Sequence, residues 1–401
     1  MSAVTQKCPG VSARAAAVAP SPTLAVTAKF KKMVQSGVDC LGFAAGEPDF
    51  DTPDNIKQAA IASIQRGETK YTPTMGLPAL REAIRRKLEQ ENKVSYETSE
   101  IIVSVGAKHS LFNAVMATVN PGDEALIPEP YWVTYPEQVG LAGGTSVFVP
   151  TSQESNFRVS FEAIRERVTD RTRLLFLNSP SNPAGAMVSD ADLQRIAELA
   201  VERNLWVISD EIYEKLIYVD QAPRSIASLG PEVRARTITV NGVSKTYAMT
   251  GWRVGYAAGP AEVVAAMGRI QDQSTSNPAN ASQYAALEAL VGPQDLAEQM
   301  RQEFAKRRKV LVDGLNAIPG ITCQMPDGAF YVFPRVADLY TGEIRGSDDF
   351  ANFLLEDEKV AVIPGSGFGA DEFVRLSFAT SMDTIEKGLE RLHRAAKRLL
   401  G

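Results

Sequence analysis

The middle of the chain alternates short apolar, β-branched runs with amphipathic segments at helical spacing, and nothing else in the sequence restricts the fold as much. Strands separated by helical crossovers return parallel to one another, so this alternation specifies a mostly parallel sheet wrapped by helices. Ile101–Val105 is predicted as a strand, followed by Gly106 and a helix from Ala107 to about Val119 with Leu111, Val115 and Thr118 along one face. Glu124–Ile127, Leu174–Leu177, Trp206–Ser209 and Thr237–Val240 are predicted as further strands. Ser189 opens a helix, with Asp192 as the acidic partner of a capping box.

Beyond about residue 291 the pattern changes to a long charged helix, Asp295–Asn316, then strand-like segments at Ala329–Phe333, Val360–Ile363 and Phe373–Phe378, and a closing helix Thr384–Leu400. The expected fold class is α/β: a large domain with a mostly parallel sheet flanked by helices, plus a smaller α+β domain. The expected division is an N-terminal arm and part of the small domain over 1–52, the large domain over 53–290, and the small C-terminal domain over 291–401.

Composition narrows the function. Hydrophobic residues at 44% and charged residues at 22% describe a globular chain able to bury a sizeable core. Lys plus Arg total 42 against 48 for Asp plus Glu, a net charge of −6, so no global positive field draws the chain to nucleic acid or anionic lipid. No apolar run approaches the ~18 residues that suggest a membrane span. A small-molecule enzyme is the leading class. The three cysteines, Cys8, Cys40 and Cys323, form neither a metal spacing nor a CxxC pair, which reads as reduced thiols in a cytoplasmic compartment. His109 and His393 are the two histidines, too few for a multi-histidine metal site, and no metal is expected. Up to residue 38 the chain holds no acid but includes Lys7, Arg14, Lys29, Lys31 and Lys32, a bias shared with transit peptides; because the segment from Leu41 already reads as enzyme, an arm is favoured.

Polar residues stand where each predicted core strand ends: Gly106–Lys108, Tyr131–Trp132, Asn178–Asn182, Asp210–Tyr213 and Ser244–Lys245. Open α/β sheets bind ligands beyond the carboxyl ends of their strands, so these tips are expected to converge on one pocket. Lys245 follows a strand and has Arg253 further along the same segment. An amine desolvated beside another cation loses its proton, and a neutral amine condenses with an aldehyde. Asp210 also follows an apolar strand, where a buried acid needs a cationic partner; a protonated pyridine nitrogen would supply one, although Asp210 reads equally well as a helix N-cap. Gly106 and Ala107 open a helix whose free N–H groups favour a phosphate. Lys108 at that positive helix end is electrostatically misplaced, which points either to a second anion nearby or to a merely solvated lysine.

Taken in order and at their spacing, Asn182-Pro-Ala-Gly185, Ser209-Asp210-Glu-Ile-Tyr213, and Ser244-Lys245 through Arg253-Val-Gly255 resemble the fold-type I, class I aminotransferases. Leu41–Pro53, Lys70–Gly76 and Pro130–Pro136 are similar too, and the likeness is greatest to the prokaryotic-type aspartate aminotransferases. The resemblance implies pyridoxal 5′-phosphate as cofactor, carried covalently by Lys245, which would also act as general acid and base. Asp210 would face the ring nitrogen, Asn182 and Tyr213 the phenolic oxygen, and Trp132 the ring face. Arg253, the backbone of Gly106 and Ala107, and Tyr71 from a neighbouring subunit would hold the phosphate, which implies a homodimer; Ser244 and Lys108 are also expected among the cofactor-binding residues. Arg375 and Gly46 would receive the substrate α-carboxylate, and Lys108 the distal carboxylate of aspartate or glutamate.

The implied reaction moves the amino group of L-aspartate to 2-oxoglutarate. Aromatic or prephenate-type acceptors are the alternative, set back by Ala19 standing where prephenate-accepting relatives tend to carry a basic residue before Pro20-Ser21. A lyase, such as a cysteine-conjugate β-lyase or an aminocyclopropane-carboxylate synthase, is a further alternative, since the same fold and the same lysine support elimination. An effector-sensing fusion is not expected, because too few residues precede Gly46 for a DNA-binding module.

Overall fold

The computed structural model describes residues 10–20 and 22–401; Lys7, Cys8 and Ser21 lie outside the described residues. A short strand β1 (Leu41–Gly42) precedes a seven-stranded sheet built from β2 (Ile101–Ser104), β3 (Glu124–Glu129), β4 (Thr145–Pro150), β5 (Thr172–Asn178), β6 (Trp206–Asp210), β7 (Thr237–Gly242) and β8 (Gly255–Ala258). Their spatial order is β2-β8-β7-β6-β5-β3-β4. All pairings are parallel except those of β8, which runs antiparallel to both β2 and β7.

The side-chain alternation of these strands divides the core. Leu174, Phe176 and Ile208 enter one cluster with Leu111, Ala114 and Val115 of the helix Ala107–Thr118. Leu175, Leu177 and Val207 enter the opposite cluster with Leu193, Ile196 and Ala200 of the helix Asp190–Glu202. Both faces are therefore covered, which is why the strands read as continuous apolar runs.

The five core strands expected from the sequence are all present, four of them with the expected first residue and no end more than two residues away, whereas β4 and β8 carry no such sequence signal. β4 is an edge strand with Phe148 37% exposed, so burial writes little of its pattern. β8, Gly-Tyr-Ala-Ala, has no β-branched residue and is a strand because it fills the space between β2 and β7. Ser189 caps its helix as expected, its Oγ accepting the Asp192 amide at 3.1 Å. The Asp192 carboxylate, however, takes Ser189 Oγ at 2.6 Å and the Phe161 amide at 2.9 Å, so its returning half goes to the Ser189 side chain and a neighbouring helix.

A smaller α+β body follows. The helix Asp295–Asn316 has the expected bounds, and the last helix, Met382–Leu400, starts slightly early because Ser381 Oγ accepts the Thr384 amide. β9 (Tyr331–Val332), β10 (Val360–Ala361), β11 (Ile363–Pro364) and β12 (Val374–Ser377) occupy the predicted strand-like segments. β10 pairs with β1 in parallel, whereas β11, β12 and β9 form an antiparallel sheet; the segment Val360–Ile363 thus serves two sheets, with Val362 between them. Phe43, Phe304, Phe330, Phe350 and Phe378 are fully buried in the core of this body. Among the described residues, no helix is long and apolar enough to cross a membrane.

Candidate active site

Where the carboxyl ends of the sheet strands meet the smaller body lies a cleft of ≈ 670 Å³. Gly46, Ala107, Lys108, Trp132, Asn182, Asp210, Tyr213, Ser244, Lys245, Arg253 and Arg375 all line it. Residues from five strand ends and from β12 have thus been brought to one place. Two expected residues do not line it: Gly106 stands one residue behind Ala107, and Tyr71 is 91% exposed on the protein surface.

Lys245 sits in the turn after β7, and its Nζ donates to the carbonyl oxygen of Gly46 at 2.5 Å. Burial and the nearby Arg375 guanidinium hold its amine down at about 8. Asp210 ends β6 and is 4% exposed. Its Oδ2 accepts the hydroxyl of Tyr135 at 2.8 Å, and its Oδ1 the amide of Ile212 at 3.3 Å. It ties down the turn that follows, but no helix begins there, so the helix N-cap that the sequence also allowed is not what Asp210 forms. Burial raises its carboxyl to about 6, since these two neutral donors offset only part of the lost hydration.

Arg375 on β12 is buried; Nη1 donates to Asn182 Oδ1 and Nη2 to Ala44 O, each at 3.0 Å. Its guanidinium lies 4.4 Å from the ring centroid of Tyr331, and its buried Nε has no hydrogen-bond partner. Tyr331 in turn exchanges a hydrogen bond with Tyr213, hydroxyl to hydroxyl at 3.0 Å. Lys108 Nζ stands 4.9 Å from the Trp132 ring centroid, and burial with Arg253 nearby lowers its pKa. Arg253 is held in the left-handed region at φ 55°, with Nη1 on Thr250 O at 2.8 Å. A side chain at Gly106, itself at φ 84°, would collide with the Arg253 guanidinium, so this glycine is required for the close approach. No ion pair within 4 Å holds Lys108, Lys245, Arg253 or Arg375 among the described residues. The cleft is cationic and suited to ligands with more than one negative group.

Sequence reasoning passed over three residues. Asn178 supports the site from beneath, donating to Asp210 O at 2.9 Å and accepting the Asn182 amide at 2.8 Å. Asn178 stood within a flagged strand tip, and Tyr135 within the flagged segment Pro130–Pro136. Tyr331 gave no local signal beyond lying in a predicted strand.

The model of aminotransferase classes I and II matches residues 38–392, and the chain belongs to that family. Among its relatives, an aspartate aminotransferase from Bacillus sp. (strain YM-2) is 50% identical over 386 residues, covering 96% of this chain and 98% of the relative. A probable aspartate/prephenate aminotransferase from Aquifex aeolicus is 48% identical over 97% of this chain and 99% of the relative. The crystal structure of the aspartate aminotransferase from Rhizobium meliloti superimposes with a TM-score of 0.93 at 44% identity, covering 97% of this chain and 99% of that one.

Proposed function

We propose that the protein is a pyridoxal 5′-phosphate-dependent aspartate aminotransferase, converting L-aspartate and 2-oxoglutarate to oxaloacetate and L-glutamate in alternating half-reactions. The observation that carries this reading is that Arg375 and Lys108, both without a carboxylate partner among the described residues, line the same cleft as the depressed amine of Lys245. That is the arrangement a dicarboxylic amino acid requires.

The residues fit the cofactor. Asp210 is a buried acid whose hydrogen-bond donors are both neutral and whose one nearby charge, Lys245, offsets burial only in part, and a protonated ring nitrogen would provide a cation in direct contact. The close approach of Arg253 to Gly106, beside the helix start at Ala107, leaves backbone N–H groups and a guanidinium for a phosphate. When bound, pyridoxal phosphate supplies an aldehyde for covalent carriage and a cationic ring that stabilises negative charge at the substrate Cα.

The chain's own groups do the rest. Lys245, near neutrality partly unprotonated, would take the proton from the substrate Cα and pass it to the former aldehyde carbon of the cofactor in the same half-reaction, and would carry it the other way in the opposite half-reaction. Asp210 would hold the ring-nitrogen proton, Asn182 and Tyr213 would face the phenolic oxygen, and Trp132 would cover the ring. Ser244, Arg253 and the amide of Ala107 would hold the phosphate, whereas the Gly106 amide, expected to share in this, is taken by the carbonyl oxygen of Ser104 at 2.7 Å. Arg375 binds the α-carboxylate as a bidentate fork with Gly46 beside it, and Lys108 takes the distal carboxylate. We further assign Tyr71 to the phosphate site of a second copy, which makes the working enzyme a homodimer of the cytoplasm, and divide each subunit at 1–52, 53–290 and 291–401.

The test is the visible absorption of the cofactor-loaded protein before and after L-aspartate is added without a keto acid. Loss of the band with one oxaloacetate per subunit, and its recovery on adding 2-oxoglutarate, is the expected result. Release of pyruvate with the band unchanged would replace the transfer by an elimination. A response to aromatic amino acids but not to aspartate would move the substrate assignment toward the aromatic or prephenate class.

A further inference from the structure

Behind the strand that carries Asp210 lies a second polar assembly, outside the cleft. Lys87, Asn92, Ser209, Glu211, Glu214 and Ser225 are all buried, and none of them lines the cleft. Side chains alternate across a strand, so Asp210 faces one side of β6 while its chain neighbours Ser209 and Glu211 fall on the other.

Those two neighbours are tied together. Glu211 Oε1 accepts the hydroxyls of Ser209 at 2.9 Å and Ser225 at 2.7 Å, and Oε2 accepts the Asn92 amide at 3.1 Å. Asn92 Nδ2 also donates to Glu214 Oε2 at 2.6 Å. Lys87 donates to Asn92 Oδ1 at 2.6 Å and to Glu214 Oε1, closing the assembly. The backbone of the same turn is pinned as well, the Glu211 amide to Val240 O at 2.9 Å.

Placing two carboxylates and one ammonium here is a poor way to stabilise a core, since apolar residues of the same volume do so without desolvating charge. The geometry explains it differently. The carboxylate of the residue after Asp210 holds the hydroxyl of the residue before it, and Ser225 and Asn92 anchor that carboxylate on the far face, which restrains the strand end between them. We propose that this Ser209–Glu211 clamp, anchored by Ser225, Asn92 and the Lys87–Glu214 pair, is a positioning element that aims the Asp210 carboxylate at the cofactor's ring nitrogen. The inference rests on the cofactor reading given above.

Burial and Glu214 push Glu211 up to about 7, so a neutral amide of the same shape is a fair substitute. In Glu211→Gln the serine hydroxyls can turn to accept from the amide, while its oxygen takes the Asn92 N–H. In Glu211→Ala all three contacts are lost.

The test compares equilibrium binding of pyridoxal 5′-phosphate with that of its 1-deaza analogue, which has C–H in place of the ring nitrogen and leaves every other contact intact. Glu211→Ala is expected to weaken pyridoxal phosphate about tenfold while leaving the analogue unchanged, and Glu211→Gln to restore the unmodified affinity. Ser225→Ala, a milder change that decides the matter if Glu211→Ala does not fold, should show the same selective loss on a smaller scale. Equal weakening of both ligands would reduce the assembly to general packing and overturn the proposal, as would no weakening of either. If the unmodified protein does not prefer pyridoxal phosphate to the analogue, Asp210 does not meet a ring nitrogen. The cofactor reading and this inference then fall together, a failure visible before any substitution is made.

Discussion

Lys245 Nζ and the carbonyl oxygen of Gly46 are 2.5 Å apart although the two residues are separated by 199 positions in the chain. This contact joins the turn after β7 to the loop after β1, the strand that pairs with β10. The amine that we assign to catalysis is thus fixed by backbone from the other sheet system, with Arg375 and Arg253 near enough to disfavour its charge.

Holding that amine at about 8 instead of 10.5 has a consequence for stability. Below pH 8 the folded protein carries a charge it disfavours, and the penalty is relieved as pH rises from 8 to 10.5, because over that window the unfolded chain binds the proton and the folded one does not. In the cofactor-free protein, Lys245→Met should be the more stable at pH 7 by about 3 kcal/mol. The gap should close by pH 10.5 in urea titrations, and a gap independent of pH would refute the assignment.

Asp210 gives the complementary window. Its carboxyl is raised from 3.8 to about 6, so the folded state holds its proton more tightly, and stability is lost as pH rises between those values. Cofactor-free Asp210→Asn should match the unmodified protein near pH 4 and exceed it by about 3 kcal/mol above pH 6, measured by calorimetry or denaturant unfolding. Its turnover with aspartate should nevertheless fall by at least ~100-fold if, as we propose, Asp210 supplies the charge opposite the ring nitrogen.

Arg375 and Lys108 should separate two ends of the substrate. Arg375→Ala is expected to lower kcat/KM for every amino acid, because all carry the α-carboxylate. Lys108→Ala should cost aspartate about 10- to 100-fold and an aromatic amino acid far less, the loss of one charged hydrogen-bond partner. Equal losses on both substrates would remove Lys108 from the distal-carboxylate role.

Phe304 is fully buried and packs against the rings of Phe50, Phe330 and Phe378. Truncation to alanine should destabilise the protein by about 3–5 kcal/mol in denaturant unfolding. A cost under about 1 kcal/mol would mean that the smaller body closes over the cavity.

Tyr71 tests the assembly. At 91% exposed it does nothing visible for its own chain. Tyr71→Ala and Lys245→Ala should each be nearly inactive, while refolding the two together should regain activity, since a hybrid dimer holds one intact site. Hybrids as inactive as the parents would place Tyr71 outside the phosphate site.

Much of the site was readable from one dimension because its residues occupy strand ends. Asp210 and Lys245 each follow an apolar run, and the parallel order implied by the intervening helices sends those ends to a common edge. Gly106 was readable for a related reason, standing between a strand and a helix where the chain must turn sharply.

The sequence by itself determined the alternation of strand and helix, the faces each element buries, and the charged groups at the strand tips, because periodicity and chain reversal are local properties. Tertiary structure alone decided which groups touch. Tyr135 is a core aromatic until its helix, Thr134–Leu141, sets its hydroxyl on Asp210. Tyr331 is one residue of a short strand until it meets Tyr213 and Arg375. β8 became a strand by filling a gap between β2 and β7, and the Ser209–Glu211 clamp closes only when Ser225 and Asn92 arrive from elsewhere. Such contacts depend on how whole elements pack, and no local pattern encodes a distance across a fold.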